Sequence, residues 1–203
     1  MSKSEISGLP PFFSKEEGTE AGHETVQDFY LSWILRCADV KYKEQNPIYE
    51  YARKTVFLLI HGVNNDNGFV FNKEIGTDDH VTNVKTRRQW KNIDLIAEID
   101  TIENSEPKKY VLNIEDKWYA PISVNQLINY DKIVKDFYSN KGFDIRNLVV
   151  FCDEDGGYDD SVQIQRCIDN NYQWLCIGDI QVETKMRGAD KTGNLMFDEF
   201  WFS

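Results

Sequence analysis

A chain of 203 residues that is 41% hydrophobic and 13% aromatic can bury a full core. Its net charge of −11 sets it apart from proteins that hold a polyanion by bulk positive charge, and no apolar run reaches bilayer-spanning length. The start, Met1-Ser2-Lys3-Ser4-Glu5-Ile6, lacks the charged-then-apolar order of a signal peptide, so a soluble cytoplasmic protein with no membrane partner is expected.

In chain order, residues 1–20 read as a loose leader broken by Gly8, Pro10, Pro11 and Gly18, and residues 21–203 as one domain. Val26, Phe29, Tyr30, Trp33, Ile34 and Cys37 recur at helical spacing and predict an amphipathic helix over 24–38. A second helix is expected over 47–61, with Pro47 at its start and Gly62 just past its end. Alternation over 68–74, 81–88, 93–99 and 110–115 predicts three or four strands in an antiparallel meander, with Asn104-Ser105-Glu106-Pro107 as the last turn. Val124, Leu127, Ile128, Ile133, Val134 and Phe137 predict a helix over about 123–139.

The run Leu148-Val149-Val150-Phe151-Cys152 is a fully apolar strand, best placed parallel to the strand it returns beside. A last helix around 160–170 leads into Trp174-Leu175-Cys176-Ile177. Helix, meander, helix and buried strand together specify an α/β or α+β fold with a mixed sheet and helices on its faces.

Cys37, Cys152, Cys167 and Cys176 show no zinc-ligand spacing and sit beside apolar neighbours, which reads as buried free thiols in a reducing cytosol. His23, His61 and His80 are unclustered, and His61, His80 and the aromatic tail from Phe197 to Phe202 read as structural. The run Asp153-Glu154-Asp155-Gly156-Gly157 lacks EF-hand spacing and reads as a solvated turn. Charge is polarised: Lys85, Arg87, Arg88 and Lys91 have no acid between them, while Asp153, Glu154, Asp155, Asp159 and Asp160 have no base.

The chemistry is concentrated between Asp94 and Lys117. Asp94 interrupts one apolar run and Glu115 another, where an unpaired buried carboxylate is costly. Glu115 and Lys117 lie two apart on a strand and share a face, while Asp116 points to the other. Carboxylates holding Mg²⁺, with Mn²⁺ as a substitute, can neutralise a phosphoryl group and generate a nucleophile from water. In this arrangement Asp94 and Glu115 hold the ion and Lys117 orients the attacking water.

Asp94, then Ile114-Glu115-Asp116-Lys117, then Asn125-Gln126-Leu127-Ile128-Asn129-Tyr130 resemble the signature of the PD-(D/E)XK nuclease superfamily. The resemblance implies a restriction-endonuclease-like mixed sheet core of order αβββαβ and hydrolysis of phosphodiester bonds, with DNA the expected substrate. It also implies that the backbone carbonyl of Asp116 is a metal ligand, that Gln126 belongs to the catalytic group, and that Glu24 on the first helix is a further ligand. Arg87 and Arg88 are candidate phosphate contacts, of which strand alternation sends one inward. The alternative is a catalytically inactive nuclease fold whose acidic surface binds a protein or mimics nucleic acid; self-association is compatible with either.

Overall fold

The computed structural model describes residues 26–66, 68–117, 121–151, 161–186 and 188–201. The two predicted N-terminal helices form α1 (Val26–Cys37) and α2 (Tyr49–His61). α2 stops at Gly62, where the ring of Phe69 approaches so closely that a Cβ would lie 2.1 Å from its Cζ atom. The leader over 1–20, Cys152 and the acidic run 153–157 lie outside the described residues.

β1 (Val63–Asn65) and β2 (Gly68–Val70) pair only with each other. The strand expected over 68–74 is therefore shorter than its alternation suggested and does not join the meander. The reason lies in Asn64, whose side-chain amide donates to the Trp174 carbonyl (2.7 Å) and accepts from the Trp174 N–H (2.8 Å). The hairpin is thereby docked on the edge of the main sheet, satisfying backbone groups an edge strand would otherwise expose.

That sheet comprises β3 (His80–Trp90), β4 (Ile93–Glu103), β5 (Glu106–Lys117), β6 (Asp144–Phe151) and β7 (Gln173–Cys176), in spatial order 3-4-5-6-7. β3, β4 and β5 are antiparallel, while β6 and β7 run parallel to β5, so the sheet is mixed. α3 (Gln126–Tyr138) connects β5 to β6, and α4 (Ser161–Asp169) connects β6 to β7. α5 (Ile177–Glu183) and α6 (Leu195–Trp201) complete the described chain.

The second hairpin turns on Asn104 and Ser105 alone, both with positive φ (52° and 68°), rather than on the four residues expected. Pro107 pairs with Ile102 inside β5. It is tolerated because β6 begins pairing only at Tyr110, so Pro107 lies where β5 has one neighbour.

Leu95, Ala97, Ile99, Leu112, Ile114, Leu148 and Val150 face α1 and α2 in the main core. The opposite face presents Ile96 and Val111 to Val134 and Tyr138 of α3. Cys37, Cys167 and Cys176 are buried and free, and Phe197 and Trp201 are buried, as their sequence settings predicted.

Candidate metal centre

Two ladders let go at the same place. Between β3 and β4 the pairing Arg88↔Leu95 is followed by Trp90↔Ile93, with no Gln89–Asp94 pair between them, and Gln89 has φ 52°. Between β4 and β5 the last pair is Leu95↔Ile114. Ile93 packs with Ile96 and Val111 on the α3 side, although residues three apart on a regular strand face opposite ways. The pleat is therefore broken around Asp94, and the side chain there can serve both faces of the sheet.

On the α3 side, Glu115 Oε1 accepts hydrogen bonds from Lys117 Nζ and Gln126 Nε2. Gln126 opens α3 and also donates to the Tyr130 hydroxyl one turn later (3.3 Å). Lys117 and Gln126 are thus on one carboxylate oxygen: the strand period puts Glu115 and Lys117 on one face, and α3 brings Gln126 to them.

On the α1 side the outcome differs from expectation. The sequence reading turned the Asp116 side chain away and kept its backbone carbonyl for the metal. The structure brings the carboxylate itself in: one oxygen each of Asp28, Asp94 and Asp116 lie within 4.8 Å of one another. Strand alternation does send Asp116 to the other face from Glu115, but Asp94 at the break reaches that face too. Asp94 Oδ2 accepts the Asp116 N–H (3.1 Å), and its Oδ1 accepts from Gln89 Nε2 (3.0 Å).

The acid that α1 delivers among the described residues is Asp28; Glu24 lies outside them. α1 is held over the sheet by Gln27, whose amide donates to the Val150 carbonyl (3.2 Å), and by Ser32, whose hydroxyl donates to Thr86 (3.0 Å).

Burial and crowding dominate the electrostatics. Asp28, only 2% exposed, is pushed up to about 10 by desolvation and then by the charges of Asp116 and Asp94. Glu115, 1% exposed, is pushed up to about 9 by desolvation and then by Asp94, with Lys117 opposing. Asp28 Oδ1 and Glu115 Oε2 are buried with no hydrogen-bond partner among the described residues. Adjacent buried carboxylates are unfavourable unless a cation offsets them, and an all-oxygen donor set suits a hard divalent ion such as Mg²⁺ or Mn²⁺.

Arg87 and Arg88 do point to opposite faces, yet both are buried. Arg87 Nη1 donates to Glu98 Oε1 (2.6 Å) and to the Tyr138 hydroxyl (3.0 Å). The Arg88 guanidinium lies over the Phe29 ring, 3.6 Å from its centroid.

Sequence reasoning missed two participants. Asp28 was not singled out within the helix expected over 24–38; its spacing of four from Ser32, on one helix face, was the available signal. Gln89 left no signal, because its role depends on a backbone state.

No curated protein and no solved structure matches the chain. A family model described as the PD-(D/E)XK nuclease superfamily matches residues 11–200. That span contains every element of the mixed sheet and all but the last residue of α6. With the acidic group at the end of β5 and the restriction-endonuclease-like order of elements, the chain belongs to the PD-(D/E)XK nuclease superfamily.

Proposed function

We propose that this protein hydrolyses phosphodiester bonds in DNA, with Mg²⁺ held by Asp94 together with Asp28, Asp116 and Glu115. The observation that carries this reading is the pair of orphaned buried oxygens, Asp28 Oδ1 and Glu115 Oε2, on either side of the one acid that serves both faces. When bound, the ion supplies Lewis acidity toward a phosphoryl oxygen and favours ionisation of water near neutral pH.

The protein's own groups divide the remaining work. Gln126 and Lys117 occupy Glu115 Oε1, which fixes the carboxylate, and Oε2, which has no hydrogen-bond partner among the described residues, would be available to hold the ion. Lys117, with 12% side-chain exposure, stays within reach of solvent and orients the attacking water while offsetting negative charge that develops on phosphorus. The Asp116 carbonyl remains a further oxygen for the ion. Water adds to phosphorus and gives up a proton to solvent as the bond to the leaving oxygen breaks, and that oxygen takes up a proton from solvent, leaving a phosphomonoester and a hydroxyl end.

The test is cleavage of single-stranded and duplex DNA and RNA with Mg²⁺, Mn²⁺ or EDTA. Asp94→Ala abolishes turnover, and Lys117→Ala lowers it by about 10²–10⁴-fold. Cleavage that persists in EDTA or in D94A overturns the reading. Mn²⁺ binding without cleavage of any substrate favours the acidic protein-binding alternative.

A further inference from the structure

Gln89 is strained without help from the turn beside it. The β3–β4 hairpin reverses on Lys91 and Asn92, whose φ values of 54° and 67° suffice for a two-residue turn. Gln89 precedes that turn, lies within β3, and still takes φ 52°, a left-handed state disfavoured for any residue with a Cβ and unusual for glutamine. Such strain persists where the surrounding structure requires it, and it clusters at functional sites.

The strain has two consequences at the acids. It removes the backbone pair that Gln89 and Asp94 would otherwise make, the interruption that frees Asp94 from the pleat. It also puts the Gln89 amide 3.0 Å from Asp94 Oδ1, while Oδ2 takes the Asp116 N–H. Gln89 is thus held against the acid of β4 that shares the carboxylate cluster with Asp28 of α1.

We propose that Gln89 is a positioning residue for the metal centre: its left-handed backbone opens the β3–β4 ladder, and its amide holds Asp94 beside Asp28 and Asp116 so that the three carboxylates face one cation. This rests on the metal-centre reading above.

Backbone and side chain can be separated. Gln89→Gly accepts the left-handed state without strain but has no amide, and Gln89→Asn tolerates that state with an amide one methylene shorter. Each is titrated with Mn²⁺, following free Mn²⁺ by electron paramagnetic resonance, and melted in EDTA.

The expected result is a metal-free melting temperature at or above wild type for Q89G and near wild type for Q89N. Mn²⁺ affinity falls by roughly 10–100-fold in both, the usual cost of losing a partner that orients a metal ligand. Variants that bind Mn²⁺ within about threefold of wild type, well short of that cost, overturn the role of Gln89 alone. So does a loss of affinity that merely follows a fall in metal-free melting temperature in both variants. A wild-type protein that binds no Mn²⁺ overturns the metal centre itself, and this inference with it.

Discussion

Asp28 carries a heavy electrostatic penalty, and its cost has a sign that can be measured. Its carboxyl is raised from an ordinary 3.8 to about 10, so the folded metal-free protein keeps a proton that the unfolded chain gives up. That contribution is fully present below about pH 4 and is lost as pH rises through the folded value. Metal-free wild type is therefore expected to lose stability from mildly acid to alkaline pH, and Glu115, raised to about 9, adds to the same slope. Asp28→Asn should melt above wild type at pH 8 in EDTA, with the gap closing toward pH 4, and should lose stabilisation by Mn²⁺. Melting curves across pH decide it: a D28N protein with the wild-type slope contradicts the assignment of the raised value to Asp28.

The same residues show which parts of a site can be read from sequence. Asp94, Glu115 and Lys117 were legible because each stands in or beside an apolar run, where a charge needs a reason. Gln126 was legible only through the resemblance carried by Gln126-Leu127-Ile128-Asn129-Tyr130; in the structure it donates to the Tyr130 hydroxyl. Asp28 sits in a helix whose polar positions look like solvent-facing ones, although α1 is buried on nearly all sides. The Asp116 side chain alternates away from Glu115 as expected, but the break at Asp94, which brings a second acid to that face, is invisible in residue types.

Among the elements, strand identity followed from composition, and the boundaries followed from neighbours. β5 extends to Lys117 because β6 pairs with it through Phe151, continuing the sheet after β4 has stopped at Ile114. The prediction at this scale concerns the Asn104-Ser105 turn. Both residues have positive φ, and a two-residue hairpin of this kind favours Asn followed by Gly. Ser105→Gly is expected to stabilise the protein by about 0.5–1 kcal/mol, since the strain of a serine in the left-handed region exceeds the entropy cost of glycine. Urea unfolding reads this directly, and S105G at or below wild-type stability contradicts it.

At the scale of the whole molecule, the described helices that flank the sheet include none long and apolar enough to cross a membrane, and a cation held by the carboxylates would add counter-charge to a chain of net charge −11. Saturation at 100 times Kd should stabilise the fold by about 2.7 kcal/mol. At roughly 2–4 °C per kcal/mol for a chain of this size, that is about 5–10 °C in melting temperature, reversed by EDTA. A melting temperature indifferent to Mn²⁺ and Mg²⁺ contradicts a site assembled across the fold.

Asp28 reaches the acids from α1, whereas Asp94 and Asp116 lie on neighbouring strands of one meander. Contacts within a meander are local and close early; a helix separated from Asp94 by α2 and three strands must be docked over a longer loop. The three carboxylates therefore come together only once α1 has settled, late in assembly. Ions that bind the finished group should act on the escape rate rather than the approach: in a chevron experiment, saturating Mn²⁺ lowers the unfolding limb and leaves the folding limb where it was. For this fold, the metal would serve as a latch on the last piece to arrive, extending the lifetime of the native state without hastening its formation.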